Sequence, residues 1–587
     1  MTLPSRSHLV LKNPLLSLLQ RSKSTSQILQ IHAQLITNSL ISDAFAVSRL
    51  VAALTSNALN MSYADTLFAQ IPNPHTFIWN SMIRGHVQSL NFEEAFRVFD
   101  RMRKSGVVGD NHSYTFVIKA CGLMMGVGEG REVHGEVVKR GFDEDLFVRN
   151  CLVGMYCRFG ELGLALIVFD EFCERDLVSW NTMINGYVGV GEMGKARELF
   201  DEMPDRDVVS WTMMIEGYGK KVGCVSRARE LFNEMPERDI VAWNSMIDVY
   251  AGVGDMDNAH ELFRLMPERN VITWSIMIDR NVRHGNSKAA LDLFREMLCE
   301  GVIPDKVSVV GAVQACAQLG AVDQGRWIHI YMGKSKIGTD VVVQTALVDM
   351  YMKCGCVDEA SALFDSMSER SVVSWNVMIV GLGINGFGES ALKLFHQMEA
   401  LGVVMDDLTF LGVLSACNHS GLVTEGLQIF DEMRHSYGIE PKEEHYSCLV
   451  DLLGRAGQLH EIQDIIATHL PEHSNAALWG SLLAACRTHR NLSLAEMSSE
   501  RLLDVKADDS GAYVLLSNIY AEEGRWEDVL STRKLFSDRG MEKEIGTSAI
   551  EVDAGVHEFF NNDRSHCLIE EIRSVVWNLS KTMVSSL

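Results

Sequence analysis

Apolar residues recur along the chain at helical spacing, in paired segments separated by glycine. The segment 177–207 is representative. Its first apolar stripe starts at Trp180 and continues three, four and seven residues later, which places the stripe on one helical face. Gly189 interrupts this pattern, and a second stripe follows and stops before Pro204, because proline disfavours helix in the residue before it. The pattern predicts two amphipathic helices joined by a short turn.

The same pair of helices repeats through most of the chain. Tryptophan recurs within one shared local string at intervals of 31, 32 and 31 residues, at Trp180, Trp211, Trp243 and Trp274, and the string also surrounds Trp79 and Trp375. Neither helix of a pair can bury its apolar stripe alone, but stacking successive pairs buries both. The sequence therefore predicts an all-α protein, a right-handed α-solenoid of helix-turn-helix repeats of 31–36 residues each.

Length and composition agree with a repeat protein. The chain has 587 residues, of which 47% are hydrophobic, and a chain of this length would otherwise indicate several domains. Lys and Arg number 53 and Asp and Glu number 77, so the formal net charge is −24, which argues against a bulk basic patch. No apolar stretch is long enough for a transmembrane helix, so no membrane insertion is expected.

The amino-terminal segment differs from the rest. Residues 1–42 are basic and rich in serine, and the first acidic residue is Asp43. This composition is typical of a mitochondrial or chloroplast transit peptide, although an ordinary basic helix is the alternative. We expect a short cleaved leader within residues 1–11 and a mitochondrial location, with the chloroplast as the alternative.

Spacing, tryptophan phase and local strings together resemble one known family. Strings such as VVVQTALVDMYMKCGCVDEASALFDSMSERS (341–371), SACNHSGL and GRAG resemble the PLS class of plant pentatricopeptide repeat (PPR) proteins, and residues 477–496 and 513–529 look like the E motifs of that class. The resemblance implies this organisation: 1–11 transit peptide, 12–474 tandem P, L and S repeats, 475–542 E motifs, and 543–587 a truncated C-terminal extension.

The longest family members carry a zinc deaminase domain, which needs His-x-Glu followed by Pro-Cys-x-x-Cys. Here the His-x-Glu at His134 falls inside a repeat, in phase with His32 and His329, and Cys354 and Cys356 form only Cys-x-Cys. We therefore expect no deaminase, no enzyme activity, no metal site and no cofactor.

In the resembled family, the fifth and last residues of each repeat choose an RNA base, and an aliphatic second residue such as Val178, Val209 or Val241 sandwiches it. The resemblance implies U for Asn80/Asp110, Asn150/Asp176, Asn181/Asp207 and Asn376/Asp406, G for Thr212/Asp239 and Ser275/Asp305, a pyrimidine for Asn244/Asn270, and a purine for Thr345/Ser371. Thr115 with Asp145 would fit G, whereas Val310 and Leu411 fit no polar readout.

Each group has a plainer structural interpretation. Aspartate at the end of a repeat can cap the next helix, and the tryptophans are expected to be core between repeats rather than base-stacking platforms. Cysteines in a repeated Ala-Cys context are expected to be small packing residues: Cys121, Cys316, Cys417 and Cys486. The acidic strings D-E-M-P-D-R-D (201–207) and N-E-M-P-E-R-D (233–239) are interpreted as a solvated ridge.

Three functions remain open from the sequence. The resemblance favours an organellar C-to-U RNA-editing site-recognition factor, which binds single-stranded RNA and recruits a DYW-type deaminase or other editing-complex proteins in trans. An organellar RNA stability, splicing or translation factor is the second possibility, and a protein-binding helical-repeat scaffold is the third.

Overall fold

The computed structural model describes residues 14–21, 24–56, 61–171, 174–221, 223–335, 337–469, 475–506, 510–538, 547–552, 555–560 and 569–585. Residues 1–11, where the leader is expected, lie outside the described residues. The chain divides into two compact bodies, Met1–Leu265 and Met266–Leu587. Each body is described by itself below.

The first body consists of helices. Their bounds are α1 Pro14–Arg21, α2 Thr25–Thr37, α3 Ala44–Ser56, α4 Met61–Ala69, α5 Thr76–Gln88, α6 Phe92–Lys104, α7 Asn111–Leu123, α8 Val127–Arg140, α9 Leu146–Arg158, α10 Leu162–Asp170, α11 Leu177–Val190, α12 Met193–Glu202, α13 Val208–Lys220, α14 Val225–Glu234, α15 Ile240–Gly252 and α16 Met256–Leu265, with a short 3₁₀ turn at Leu40–Ser42.

The second body continues the pattern and ends in a different element. Its bounds are α17 Val271–Arg283, α18 Ser287–Cys299, α19 Lys306–Leu319, α20 Val322–Ser335, α21 Val341–Lys353, α22 Val357–Ser366, α23 Val372–Ile384, α24 Gly388–Ala400, α25 Asp407–Ser420, α26 Val423–His435, α27 Glu443–Arg455, α28 Leu459–His469, α29 Ala476–Thr488, α30 Leu492–Val505, α31 Ser510–Glu522, α32 Trp526–Asp538, β1 Thr547–Val552, β2 Gly555–Phe560 and α33 Ile569–Ser585.

Local sequence sets where each helix begins and ends. Asp207 directly precedes α13, and its side chain accepts a hydrogen bond from the backbone N–H of Ser210. In return, the backbone N–H of Asp207 donates to the Ser210 hydroxyl, which completes a capping box. Gly191 ends α11 with φ 83°, a left-handed conformation that glycine adopts without strain. These caps set the ends of the two helices within each repeat.

Within each body, the first helix of a repeat packs against its own second helix and against the first helices of the neighbouring repeats. The core between repeats contains an edge-to-face pair, in which a phenylalanine of one second helix meets the tryptophan of the next first helix. Phe200 and Trp211 are representative, with ring centroids 4.9 Å apart and planes at 80°. The prediction that the tryptophans are core is confirmed, since Trp274 and Trp375 are almost fully buried.

An arginine completes this core at the end of the second helix. The Arg206 guanidinium lies 4.8 Å from the Phe200 ring centroid. It also donates from Nε to the Phe200 carbonyl and from Nη2 to the Asp201 carbonyl, both at 2.8 Å. Arg175, Arg238 and Arg370 repeat the arrangement. The arginine that directly precedes the last residue of these repeats therefore satisfies terminal carbonyls of the helix, a function that the interpretation as a solvated acidic ridge did not include.

The prediction of an all-α helix-turn-helix solenoid is confirmed within each body, and the described strands add one hairpin after the repeats. β1 and β2 pair in antiparallel fashion, with Thr547 opposite Phe560. The Glu551 carboxylate of β1 accepts hydrogen bonds from the backbone N–H groups of Asp323 (3.0 Å) and Gln324 (3.2 Å), at the start of α20. Among the described helices, none has the length and apolar character that a membrane span requires.

Candidate functional site

The fifth residues of the repeats lie on the first helices, beside exposed apolar side chains. Asn150, Asn244 and Asn376 are buried, each less than 10% exposed. Several second-place residues, each three positions before the fifth residue of its own helix, are exposed: Val178 56%, Val209 55%, Val241 55% and Val373 60%. These first helices therefore present an apolar side chain to solvent close to a largely buried polar one.

Last-place residues lie at the N-cap of the next helix, as the capping interpretation predicts. Eight of these side chains accept a hydrogen bond from the backbone N–H three residues onward: Asp110, Asp176, Asp207, Asp239, Asn270, Asp305, Ser371 and Asp406. Capping therefore accounts for the position of these residues, and it does so equally for Asp, Asn and Ser.

In five repeats, the fifth residue also donates to the carboxylate of the last residue. The donor–acceptor distances are 2.8 Å for Asn80–Asp110, 3.3 Å for Asn150–Asp176, 3.3 Å for Asn181–Asp207, 2.9 Å for Ser275–Asp305 and 3.0 Å for Asn376–Asp406. In each case the accepting atom is Oδ1, the oxygen that also caps the helix. The structure therefore brings these predicted pairs together.

The remaining predicted pairs are arranged differently. The Thr212 hydroxyl donates to the Val208 carbonyl of its own helix at 2.8 Å, and Asp239 accepts from the Ala242 backbone. Thr345 lies 2.7 Å from the Ser374 hydroxyl, which in turn lies 3.0 Å from Ser371. Asn244 lies on α15 of the first body, and Asn270 caps α17 of the second body.

Hydrogen bonding keeps several of the carboxylates ionised. Burial alone raises the pKa of Asp110, but bonds from the Ser113 backbone, the Asn80 amide and the Ser113 hydroxyl together hold that pKa below its ordinary value. The same balance lowers the pKa of Asp176 and of Asp207. An ionised carboxylate accepts only, so the asparagine turns its amide nitrogen toward the aspartate.

This orientation leaves the amide oxygens unused. Among the described residues, the buried Oδ1 atoms of four fifth-place asparagines have no hydrogen-bond partner: Asn150, Asn181, Asn244 and Asn376. Asn80 differs, because its Oδ1 accepts from the Ser113 hydroxyl at 2.5 Å. An unpaired buried acceptor is costly, and these four acceptors share one position of the repeat.

The grooves beside these amides are large enough for a nucleotide. In the first body, a cavity of about 770 Å³ is lined by residues that include Val178, Asn181, Asp207 and Val209. In the second body, a cavity of about 410 Å³ is lined by residues that include Val373, Asn376 and Leu408. Both volumes fall in the range of small-molecule sites, and both sites combine apolar walls with a few polar groups.

Histidines and cysteines of the repeats serve packing. His134 shares a 2.8 Å hydrogen bond with the Tyr156 hydroxyl of the next repeat, and His32–Tyr63 (2.7 Å) and His329–Tyr351 (3.0 Å) repeat this contact. The Ala-Cys cysteines are buried, and burial raises the pKa of Cys121, Cys316 and Cys486 to about 12. The structure thus confirms the cysteines as packing residues.

Sequence reasoning missed two sets of residues around the site. The first is the arginine that directly precedes the last residue of several repeats, and this fixed position was the available signal. The second is the small hydroxyl residue at the third place of a repeat, buried as Ser179, Ser210 or Thr409, which donates to the capping aspartate. The available signal was a serine or threonine directly before the repeated tryptophan, or before the phenylalanine that replaces it at Phe410.

Fold and site together define a helical-repeat protein in which most repeats place a polar fifth residue close to the capped start of the next first helix. Models of the PPR repeat family match residues 74–122, 175–208, 269–318 and 370–419, and the PPR repeat model matches 147–177, 209–240, 241–271, 345–372 and 408–437. The E motif model matches residues 489–551. The chain belongs to the pentatricopeptide repeat family, in its PLS subfamily and E class.

Similar proteins cover almost the whole chain. Pentatricopeptide repeat-containing protein At3g29230 of Arabidopsis thaliana is 43% identical over 564 residues, covering 96% of this chain and 94% of its own. The chloroplastic protein At1g08070 of the same plant is 37% identical, covering 95% and 81%. Among solved structures, maize PPR10 is similar with a TM-score of 0.52 at 17% identity, covering 92% and 90%. PPR10 in complex with an 18-nt psaJ RNA element has the same TM-score at 20% identity, covering 86% and 80%.

Proposed function

We propose that this protein binds single-stranded RNA in a sequence-specific manner, with one base placed at each reading repeat. The observation that carries the proposal is the set of buried amide oxygens without a partner, at Asn150, Asn181, Asn244 and Asn376. A base N–H that enters the groove supplies the missing donor, and the exposed second-place aliphatic side chains cover the faces of the base.

Membership in the PPR family and the RNA-bound state of the similar PPR10 structure support this proposal. The electrostatics also fit a selective rather than a bulk mode of binding. A net charge of −24 disfavours non-specific attraction to phosphate, so affinity depends on the base contacts in the groove.

The proposed base at each repeat gives a register. From the repeat that starts at residue 76 to the repeat that starts at residue 372, it is U, G, U, U, G, pyrimidine, G, any base, purine, U, written 5′ to 3′. The four Asn/Asp pairs give U because an asparagine amide can both donate to and accept from a pyrimidine edge. The threonine and serine positions give a purine because a small hydroxyl leaves room for the larger base.

A finer proposal is that the bound RNA lies next to an editable cytidine in an organellar transcript. The match to the E motif model at residues 489–551 supports it, because E motifs in this family are implied to recruit a deaminase in trans. The proposed location is an organelle, with the mitochondrion preferred from the basic, serine-rich amino terminus; the relative At1g08070 is chloroplastic.

Two experiments test the proposal at its two levels. Purified protein should bind an RNA of the register above more tightly than a scrambled RNA of the same composition, and equal binding would overturn the register. Sequencing of mitochondrial and plastid RNA from a plant line that lacks the gene should reveal loss of C-to-U conversion at one or a few sites downstream of matching bases. Intact editing with altered splicing or transcript abundance would assign the protein to RNA processing or stability instead.

A further inference from the structure

The β-hairpin that follows the repeats makes a contact that stacking of repeats does not explain. In the second body, helices that pack together belong to the same repeat or to adjacent repeats, as a solenoid predicts. Glu551 of β1 instead reaches the start of α20. Six helix pairs, α21 to α32, lie between these two elements along the chain.

This contact completes the hydrogen bonding of the first turn of α20. Amide N–H groups in the first turn of a helix have no partner within the helix. Those of Asp323 and Gln324 donate to Oε2 and Oε1 of Glu551, at 3.0 and 3.2 Å. The residue before the helix is Ala321, whose methyl group cannot act as a cap. A distant part of the chain therefore supplies the acceptor that the local sequence lacks.

The geometry of the contact fixes both the position and the orientation of β1. Each carboxylate oxygen of Glu551 accepts from a different amide, so the side chain is held at two points. A carboxylate is favourable at the positive end of a helix, and a bond to an ionised acceptor is stronger than a neutral one. The nearby acid, Asp323, is itself paired with Arg326 at 3.3 Å, which reduces its repulsion of Glu551.

Two cysteines lie within electrostatic reach of the docked carboxylate. Cys354 belongs to the repeat after that of Cys316, and its Sγ lies 4.0 Å from the Cys316 carbonyl. Burial raises the pKa of Cys354 to about 11 and that of Cys316 to about 12, and the negative charge of Glu551 contributes to both increases. The hairpin therefore affects two successive repeats.

The contact leaves the proposed RNA groove open. The fifth and last residues lie on the first helices and at their caps, whereas α20 is the second helix of its repeat. Asp323 and Gln324 line a separate groove of about 390 Å³ between α18 and α20, together with residues that include Phe294 and Trp327. Trp327 is 51% exposed, so the hairpin can reach this side of the repeat from solvent.

We propose that the C-terminal hairpin is a latch, in which Glu551 docks on the start of α20 and ties the end of the chain to the repeat that begins at Lys306. The six intervening helix pairs, which carry most of the E motif match, then form a closed loop. A solenoid held only by contacts between neighbours can bend at every interface, and a contact between distant repeats removes part of that freedom. Under the proposed function, on which this one consequence rests, the latch holds the E motifs at a fixed place relative to the repeats that read RNA.

Hydrogen exchange of the full-length protein, followed by mass spectrometry, tests the latch without RNA. Glu551→Ala should speed exchange of the Asp323 and Gln324 amides by about fivefold or more, the ratio that one net hydrogen bond provides. Glu570→Ala removes an exposed carboxylate from α33, in the same C-terminal region, and should leave this exchange unchanged.

Alkylation of Cys354 by iodoacetamide gives a second readout. Loss of the Glu551 charge lowers the pKa of this thiol, so Cys354 of Glu551→Ala should react about twofold faster or more than in wild type. The rate is measured against Cys299, an exposed thiol of the same molecule.

A further variant separates helix capping from docking. Ala321→Ser added to Glu551→Ala supplies a local cap and should restore slow exchange at Gln324, while Cys354 stays fast. If the serine restored both rates, the thiol would be responding to the end of the helix rather than to the docked hairpin, and the latch would be refuted.

The remaining outcomes are distinct. Faster exchange and faster alkylation in Glu551→Ala, with neither in Glu570→Ala, would support the latch. Unchanged exchange at Asp323 and Gln324 in Glu551→Ala would overturn it, as would an equal increase in exchange throughout the second body. Base selection opposite Asn376 should be the same in wild type and Glu551→Ala; its absence in wild type would refute the proposed function and leave the latch standing.

Discussion

Replacement of Asn376 by alanine separates a functional amide from a structural one, because another asparagine of the same helical segment serves as its control. Asn376 lies within α23 and donates to Asp406 at 3.0 Å, while its Oδ1 is buried without a partner. Asn385 caps the end of α23 and donates from Nδ2 to the carbonyls of Met352 (2.9 Å) and Gly381 (2.8 Å).

The two substitutions should differ in their effect on stability. Asn376→Ala loses a bond to a carboxylate, worth about 1.5–3 kcal/mol, but it also removes an unpaired buried acceptor that costs about 1–3 kcal/mol. Asp406 keeps the backbone N–H and the hydroxyl of Thr409 as donors, at 2.8 and 2.7 Å. The net change in the free energy of unfolding should therefore lie within about 1 kcal/mol of zero. Asn385→Ala loses two satisfied bonds and should cost about 1–3 kcal/mol.

Binding should show the opposite order. Asn376→Ala should abolish the preference for U opposite its repeat, a loss of about fivefold in selectivity, since one net hydrogen bond is worth about 1 kcal/mol. Asn385→Ala should leave that preference unchanged. The assays are urea unfolding monitored by circular dichroism and fluorescence anisotropy with RNAs that differ at one base. If Asn376→Ala destabilised the protein as much as Asn385→Ala and left base selection intact, the amide would be a structural residue and the reasoning would be wrong.

Three further predictions concern stability. Arg206→Lys should lower the free energy of unfolding by about 1–2 kcal/mol, because an ammonium cannot make both carbonyl bonds of the guanidinium. Arg197→Lys keeps a cation beside Asp201 and alters only a more distant contact, 5.8 Å from the Phe200 ring centroid, so it should change this free energy by less than about 0.5 kcal/mol. Gly383→Ala should lower the free energy of unfolding by about 1–3 kcal/mol, because its Cβ would lie 2.6 Å from Cα of Ala416. The Cβ of Gly333→Ala would meet no atom within 4 Å, so this control should stabilise its helix by about 0.5–1 kcal/mol. Urea unfolding midpoints measure the arginine pair and the glycine pair of variants. Burial lowers the pKa of His134 below its ordinary 6.5, so the unfolded chain takes up a proton at a higher pH than the folded protein does, and the free energy of unfolding should fall as the pH drops below 6.5. In thermal unfolding, His134→Gln should therefore lose less stability than wild type between about pH 7.5 and about pH 5.5. A variant with the same pH dependence as wild type would contradict this.

Periodic features of the fold were predictable from the sequence. The tryptophan phase identified the repeats because each repeat buries the same side chain against its neighbour, and the structure places Trp211 against Phe200 accordingly. The phase of the fifth and last residues was predictable for the same reason. Their bonds were not, since the letters Asn and Asp do not specify which amide atom faces the carboxylate or which oxygen remains unused.

Features that lack periodicity escaped prediction. The contact between Glu551 and the start of α20 joins residues 228 positions apart, and no repeat pattern relates them. Three repeats begin with a side chain that bonds to their own last residue: Asn111, Lys306 and Asp407. These side chains are an amide, a cation and an anion, so no shared residue type in the sequence indicated their shared contact. Their similarity is one of geometry, because each reaches the last residue of its own repeat.

Helix capping bears on the proposed function, because a last residue that caps a helix can vary without a change in the fold. Asp207, Asn270 and Ser371 all cap a helix in the same way, and each forms a reciprocal capping box with the residue three positions later. Asp, Asn and Ser are nearly equivalent as caps, so exchange among them costs the fold little. The same exchange alters the partner of the fifth residue from an ionised acceptor to an amide or a hydroxyl, which changes how the fifth side chain is oriented toward a base. Because helix capping fixes where the last residue lies and leaves its chemistry free, the proposed function lets this position vary with the RNA sequence while the solenoid stays intact.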